Sequence, residues 1–155
     1  MPHKKFVGPL LMGLLLSASC LAGVLRTDET FEITLPAGQT FTIKVEFRLG
    51  YTSEKKVNSA DFSVENHSES GEITVTRARI VRSGDHATLR GDNLELAVAP
   101  GREIDKHKVL NREKLDEYYW QVVTELSINF GGVTKFFIFR TTKMDKEIIM
   151  QDRPF

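Results

Sequence analysis

Cysteine is nearly absent from this chain: Cys20 stands alone among 155 residues. A lone thiol forms no internal disulfide, so the fold must rest on its own apolar core, and the paired cysteines of structural zinc sites are excluded. An excess of charge of one sign is missing too. The 21 Lys and Arg balance 21 Asp and Glu, which removes the basic footprint of a nucleic-acid binder. With 11 Gly, 5 Pro and 41% hydrophobic residues the composition fits neither a fibrous nor a disordered chain. There is no Gly-x-Ser-x-Gly elbow, no phosphate-cradling glycine loop and no internal repeat. His67, His86 and His107 are far apart, each in an expected loop, so no metal centre, catalytic set or cofactor is expected.

What is present begins at the first residues. His3, Lys4 and Lys5 form a basic head, followed by an apolar run from Phe6 to Leu16 and by the small residues Ser17, Ala18 and Ser19. That is the three-part layout of a secretory signal peptide. The uncharged stretch Phe6 to Leu25 is 20 residues long, enough to cross a hydrocarbon core of ~30 Å, so a retained anchor is the alternative. Gly8, Pro9, Gly13 and Gly23 interrupt it, which favours a cleaved leader. Either way, Lys4 and Lys5 held inside send the remainder out of the cytoplasm.

Ser17-Ala18-Ser19 directly before Cys20 resembles the lipobox of bacterial lipoproteins, in which a small-residue tripeptide ends at a cysteine that becomes acylated. The resemblance covers residues 1–20 only, and Ser17 stands where that family places Leu. It implies lipidation at Cys20 and a lipid-anchored product in the periplasm or outer membrane. Cleavage after Ser19 or Ala22 by an ordinary signal peptidase is the other outcome. The expected division is a signal peptide over 1–19, a tether over 20–29 and a folded domain over 30–155.

From Thr30 onward apolar residues alternate with period two, the pattern of strands with one buried face. Phe31, Ile33 and Leu35 share a face, as do Phe41, Ile43, Val45 and Phe47, with Pro36-Ala37-Gly38 as the turn between them. After Ile73 and Val75 the phase slips, which predicts a one-residue β-bulge near Arg77. Short strands are expected over 87–90 and 94–98. The charged stretch from Pro100 to Glu117 offers no alternation.

Residues 111–126 read two ways. Leu115, Tyr118, Tyr119, Val122, Val123 and Leu126 have helical spacing, while Trp120 to Phe130 alternates as a strand. The expectation is a short helical turn over 111–117 and a strand from Tyr118 to Phe130. Gly131-Gly132 should then turn the chain into a partner strand over 133–141, apolar on both faces at Phe136 to Phe139. An edge strand over 148–150 closes the count at eight or nine. The fold class is all-β: a single antiparallel β-sandwich, immunoglobulin-like or similar.

Three candidate sites follow. Arg77, Arg79, Arg82 and Arg90, with Lys44 and Arg48, could form a basic stripe for phosphate or carboxylate groups, because the guanidinium fork binds oxyanions in bidentate fashion. Tyr118, Tyr119 and Trp120 could stack on a sugar or peptide. Asn66-His67-Ser68 matches a glycosylation acceptor. The pattern as a whole points to an exported, envelope-associated binding or assembly module. Its partner would be an envelope protein or polymer, it would touch the membrane through its lipid, and it would not bind nucleic acid. A cell-wall-directed hydrolase or lyase and a secreted inhibitor or effector are the alternatives.

Overall fold

The computed structural model describes residues 22–108 and 115–155. The signal segment and Cys20 lie outside the described residues. The chain forms nine strands: β1 (Gly23–Thr34), β2 (Thr40–Tyr51), β3 (Val57–Asn66), β4 (Ile73–Arg82), β5 (Thr88–Val98), β6 (Glu103–Lys108), β7 (Val122–Phe130), β8 (Val133–Thr141) and β9 (Lys146–Gln151). They build a four-stranded sheet in the order β1-β2-β3-β6 and a five-stranded sheet in the order β5-β4-β7-β8-β9. All neighbouring strands pair antiparallel. The two sheets pack face to face as an all-β sandwich.

The expected alternation fills the space between the sheets. Phe41, Ile43, Val45, Phe47 and Leu49 of β2 are buried, and their counterparts across the core are Leu126, Ile128 and Phe130 of β7 with Phe137 and Phe139 of β8. Phe47 stacks on Phe139 with centroids 5.5 Å apart, while Phe31 meets Phe137 and Phe41 meets Phe130 edge to face. Truncating one such Phe to Ala would cost about 3–5 kcal/mol.

The phase slip near Arg77 is a β-bulge. Val75 faces Ile128 and Arg77 faces Ser127, leaving Thr76 as the extra residue. Inward positions therefore change from Ile73 and Val75 to Ala78 and Ile80.

Several boundaries differ from expectation. Residues 23–29, expected as tether, are the first half of β1; their polar content hid a strand whose partners run from Tyr51 to Val45. The two short strands over 87–90 and 94–98 are one strand, β5, which accommodates Gly91-Asp92-Asn93 through register shifts against β4. The charged stretch contains β6, a sheet-edge strand with Ile104 as its one apolar residue. Of the helical turn expected over 111–117, residues 111–114 lie outside the described residues. Residues 115–117 are not helical: Leu115 donates to the Val57 carbonyl at 2.9 Å and Val57 to the Glu117 carbonyl at 3.0 Å, which holds the backbone alongside β3. A single 3-10 turn follows instead at Tyr119–Gln121, and the strand begins at Val122 rather than Tyr118.

Candidate functional site

Because every strand spans the sandwich, its connections fall into two sets. The near end holds the start of β1, the loop over 52–56, the turn over 83–87, the segment 115–121 and the β8–β9 turn over 142–145. The far end holds the connections over 35–39, 67–72, 99–102 and 131–132.

The near end gathers the aromatic residues singled out in the sequence. Segment 115–121 is pinned to both sheets by its backbone. Tyr119 N donates to the Lys55 carbonyl at 3.0 Å, Ser83 N donates to the Gln121 carbonyl at 2.8 Å, and the Thr141 hydroxyl donates to the Tyr119 carbonyl at 2.8 Å. The Gln121 side chain accepts from Tyr118 N. Upon this frame Tyr118 and Trp120 stack parallel, centroids 4.8 Å apart and planes within 1°. Tyr119 meets Trp120 edge to face and leans on Tyr51 at 5.2 Å.

Two cations close the outer ring faces. Lys143 Nζ lies 5.1 Å from the Trp120 ring centre and Lys56 Nζ 5.7 Å from that of Tyr118, within range of a cation–π attraction. Lys56 also bonds to Asp116, which raises its pKa above the usual lysine range. A flat ligand would therefore have to displace a lysine before it reached a ring face; ring edges and lysine ammonium groups are what this end presents. Beside the rings a depression of about 240 Å³ is lined by Leu25, Tyr119 and residues 142–146.

The arginines behave otherwise. Lys44 and Arg48 lie on β2, Arg77, Arg79 and Arg82 on β4 and Arg90 on β5, so the expected stripe is divided between the two sheets. Lys44 stands between Asp28 and Glu65 at 3.6 and 3.7 Å. Arg79 holds the fully buried Glu125 in bidentate fashion, with Nε to Oε1 at 2.6 Å and Nη2 to Oε2 at 3.1 Å, and Arg77 adds a contact at 3.4 Å. Arg82 pairs with Asp85 and Glu117. Hydrogen bonds from Ala87 N, first, and from Arg82 hold the Asp85 carboxyl below its ordinary range, while Asp85 and Glu117 raise the Arg82 guanidinium. The anions these arginines hold belong to the chain itself.

Glu125 is buried because residues 152–155 cross the outer face of the five-stranded sheet. Phe155 N donates to Glu125 at 2.6 Å, Arg79 donates to the Phe155 backbone oxygen at 3.0 Å, and the Phe155 ring stacks on His86 at 4.5 Å. That crossing explains why Val123 and Ile138, on the side away from the core, are buried. The apolar run over 136–139 demands cover on both faces, and the closing residues supply it on the outer one.

At the far end Asn66 is a structural hub. Its Nδ2 donates to the Gly71 and Val98 carbonyls, both at 2.9 Å, and its Oδ1 accepts from Ser68 N at 3.0 Å. With Asn66 at 1% exposure and its amide committed, a glycan on it is incompatible with this fold. His67 bonds to Glu65 at 2.7 Å, whereas His86 stands at the near end. Among the described residues no group of three His, Cys, Asp or Glu could hold a metal ion, and no helix is long and apolar enough to cross a membrane. No known family model matches the chain, and neither a curated protein nor a solved structure matches it.

Proposed function

We propose that this protein is an exported, envelope-associated module, tethered through a lipid on Cys20, that binds a partner in the cell envelope without transforming it. The observation that carries the reading is the junction between leader and fold: the lipobox-like Ser17-Ala18-Ser19-Cys20 is followed after two residues by Gly23, the first residue of β1. A chain so arranged has almost no free linker, so the sandwich would stay at the membrane surface and meet envelope components there at high effective concentration.

The partner surface in this reading is the outer edge of β5, engaged by strand addition. β5 ends the five-stranded sheet for 11 residues, and of its exposed positions Thr88, Gly91, Asn93, Glu95 and Ala97 only Glu95 is charged, so much of the edge backbone is accessible. The opposite edge is guarded. In β1, Glu29 stands opposite Val45 on the core-side face yet is exposed, which places a charge at the edge, and Lys146 of β9 donates to the Arg26 carbonyl at 2.5 Å; both devices discourage edge pairing.

Two measurements test this. The intact mass of the mature chain should show an acylated N-terminal Cys20, and an unmodified chain starting at Gly23 would end the tether. A photo-crosslinker at Asn93 should capture an envelope partner in cells, while one at Glu32 on β1 should not; equal capture at both positions would refute strand addition at β5.

A further inference from the structure

The large apolar side chains exposed on the described surface are Val24, Tyr118 and Met144. All three stand at the near end. Val24 lies opposite Gly50 where β1 begins, Tyr118 bridges to Lys56, and Met144 is at the tip of the β8–β9 turn. Met144 is 98% exposed. Its position is fixed by the turn, because the Thr142 hydroxyl accepts from Met144 N at 3.2 Å and from Asp145 N at 2.9 Å, and Thr142 N donates to the Asp145 carbonyl at 2.7 Å. The turn thus holds Met144 in a defined position, where it lines one depression together with Leu25 and Tyr119.

The path of the chain says which surface. Gly23 is three residues beyond Cys20, and three extended residues span at most about 11 Å. A lipid on Cys20 would hold this end within reach of the headgroup layer, into which peripheral apolar side chains descend by ~5–10 Å. Tyrosine and tryptophan favour that zone, since the ring is apolar and its polar edge stays hydrated. Most of the acid charge here is compensated. Asp116 is held by Lys56, and Asp85 and Glu117 by Arg82, which leaves Glu54 and Asp145 as the other acids on the described residues of these loops. Lys143, over Trp120, precedes Met144, and Lys146, whose ammonium also donates to the Arg26 carbonyl, follows Asp145.

We infer that the near end of the sandwich docks on an anionic membrane surface: Val24, Tyr118 and Met144 enter the interface while Lys143 and Lys146 meet lipid phosphate. This rests on the tether reading above. In this orientation the strands stand upright on the membrane, the far-end loops point away, and the β5 edge runs outward where a partner can reach it. The ring faces capped by lysine then need no ligand, because the cluster acts as an interfacial anchor.

The sole tryptophan, Trp120, reports on the site directly. The full chain, its acylation verified by mass, is mixed with phosphatidylethanolamine–phosphatidylglycerol vesicles containing a lipid labelled with a shallow quencher. Trp120 emission should shift to the blue and be quenched. The quenching should be roughly halved or more by Met144→Glu, which puts a charge into the interface, and unchanged by Gln39→Glu at the far end. Both positions are exposed, so both variants should fold. Vesicle binding with Trp120 unquenched would overturn the orientation and leave the tether standing; an acylated chain that fails to bind vesicles would overturn both. Quenching seen only with native membranes, not with purified lipid, would assign this end to a protein partner instead.

Discussion

At the far end one buried amide joins three backbone segments, while at the near end the chain is closed by four aromatic rings and two lysines, partly open to solvent. The far end therefore behaves as an extension of the core. Asn66 receives or donates in five hydrogen bonds when its backbone is counted, with Arg102 and Gly101 as the further partners, and nothing apolar of size is exposed there among the described residues. The near end is built from ring contacts on a frame held by main-chain bonds and by the Gln121 and Thr141 side chains, not by the rings. A polar hub buried at one end and an apolar cluster exposed at the other indicate which end is finished by folding and which still has a surface to offer.

The sharpest way to break this contrast is Asn66→Ala. The substitution strands the carbonyls of Gly71 and Val98 and the N–H of Ser68, and each unsatisfied buried group costs about 1–3 kcal/mol. Gly71 sets the same constraint from the other side: at φ +95° a side chain there is strained, and its Cβ would sit 2.7 Å from the Phe41 ring, so the loop cannot move to recover the lost bonds. We expect a loss of roughly 3 kcal/mol or more in urea unfolding, with protease cleavage appearing over 67–72. A loss below about 1 kcal/mol would mean that water replaces the amide and that the far end is no more fixed than the near end.

The sheets were readable in the sequence wherever a strand has one apolar face. The shared faces of Phe31 and Ile33 and of Phe41 and Ile43, the bulge at Thr76 and the hairpin at Gly131-Gly132 all follow from alternation and turn chemistry, whereas the turn at Pro36-Ala37-Gly38 fitted a hairpin or a corner between sheets and only the structure pairs β1 with β2. The edges of the four-stranded sheet escaped in whole or in part. β6 offers only Ile104 to the core, and the first half of β1 carries Arg26, Asp28 and Glu29, since an edge needs charge more than it needs apolar area. The cover over Glu125 was illegible because it depends on Phe155 meeting residues of β4 and β7 far away in sequence. Of the candidate site, Tyr118 to Trp120 was visible as a cluster; Val24, Met144 and the two lysines were not, for only the fold brings the start of β1 and the β8–β9 turn beside them.

Tyr118→Ala tests the near end with a smaller expected effect. Tyr118 is exposed and stacks on one side only, so the change removes a ring contact of about 0.5–1.5 kcal/mol while the backbone bonds of Tyr119 and Gln121 remain. Unfolding should shift by no more than about 1.5 kcal/mol, and Trp120 fluorescence should change through loss of its neighbour. A loss equal to that of Asn66→Ala would make the aromatic cluster a structural keystone and remove the difference between the ends.

The smallest effect concerns the polar surface of the far end. Glu65 accepts from His67 at 2.7 Å and lies 3.7 Å from Lys44. The hydrogen bond from His67, first, and the charge of Lys44 hold the Glu65 carboxyl below the ordinary glutamate range. A carboxyl depressed in the folded state stabilises the fold above its unfolded pKa, and that contribution is lost as pH falls through the folded value. His67→Ala removes the first cause and leaves the second. The Glu65 titration, followed by the carboxyl carbon shift in NMR, should therefore move upward but stop short of the unperturbed range, and the stability difference between the two proteins should shrink as the medium is acidified through that window. A Glu65 midpoint unmoved by the substitution would show that Lys44 alone sets it and that His67 is a solvated loop residue, in which case the far end owes its order to the buried amide and to nothing on its surface.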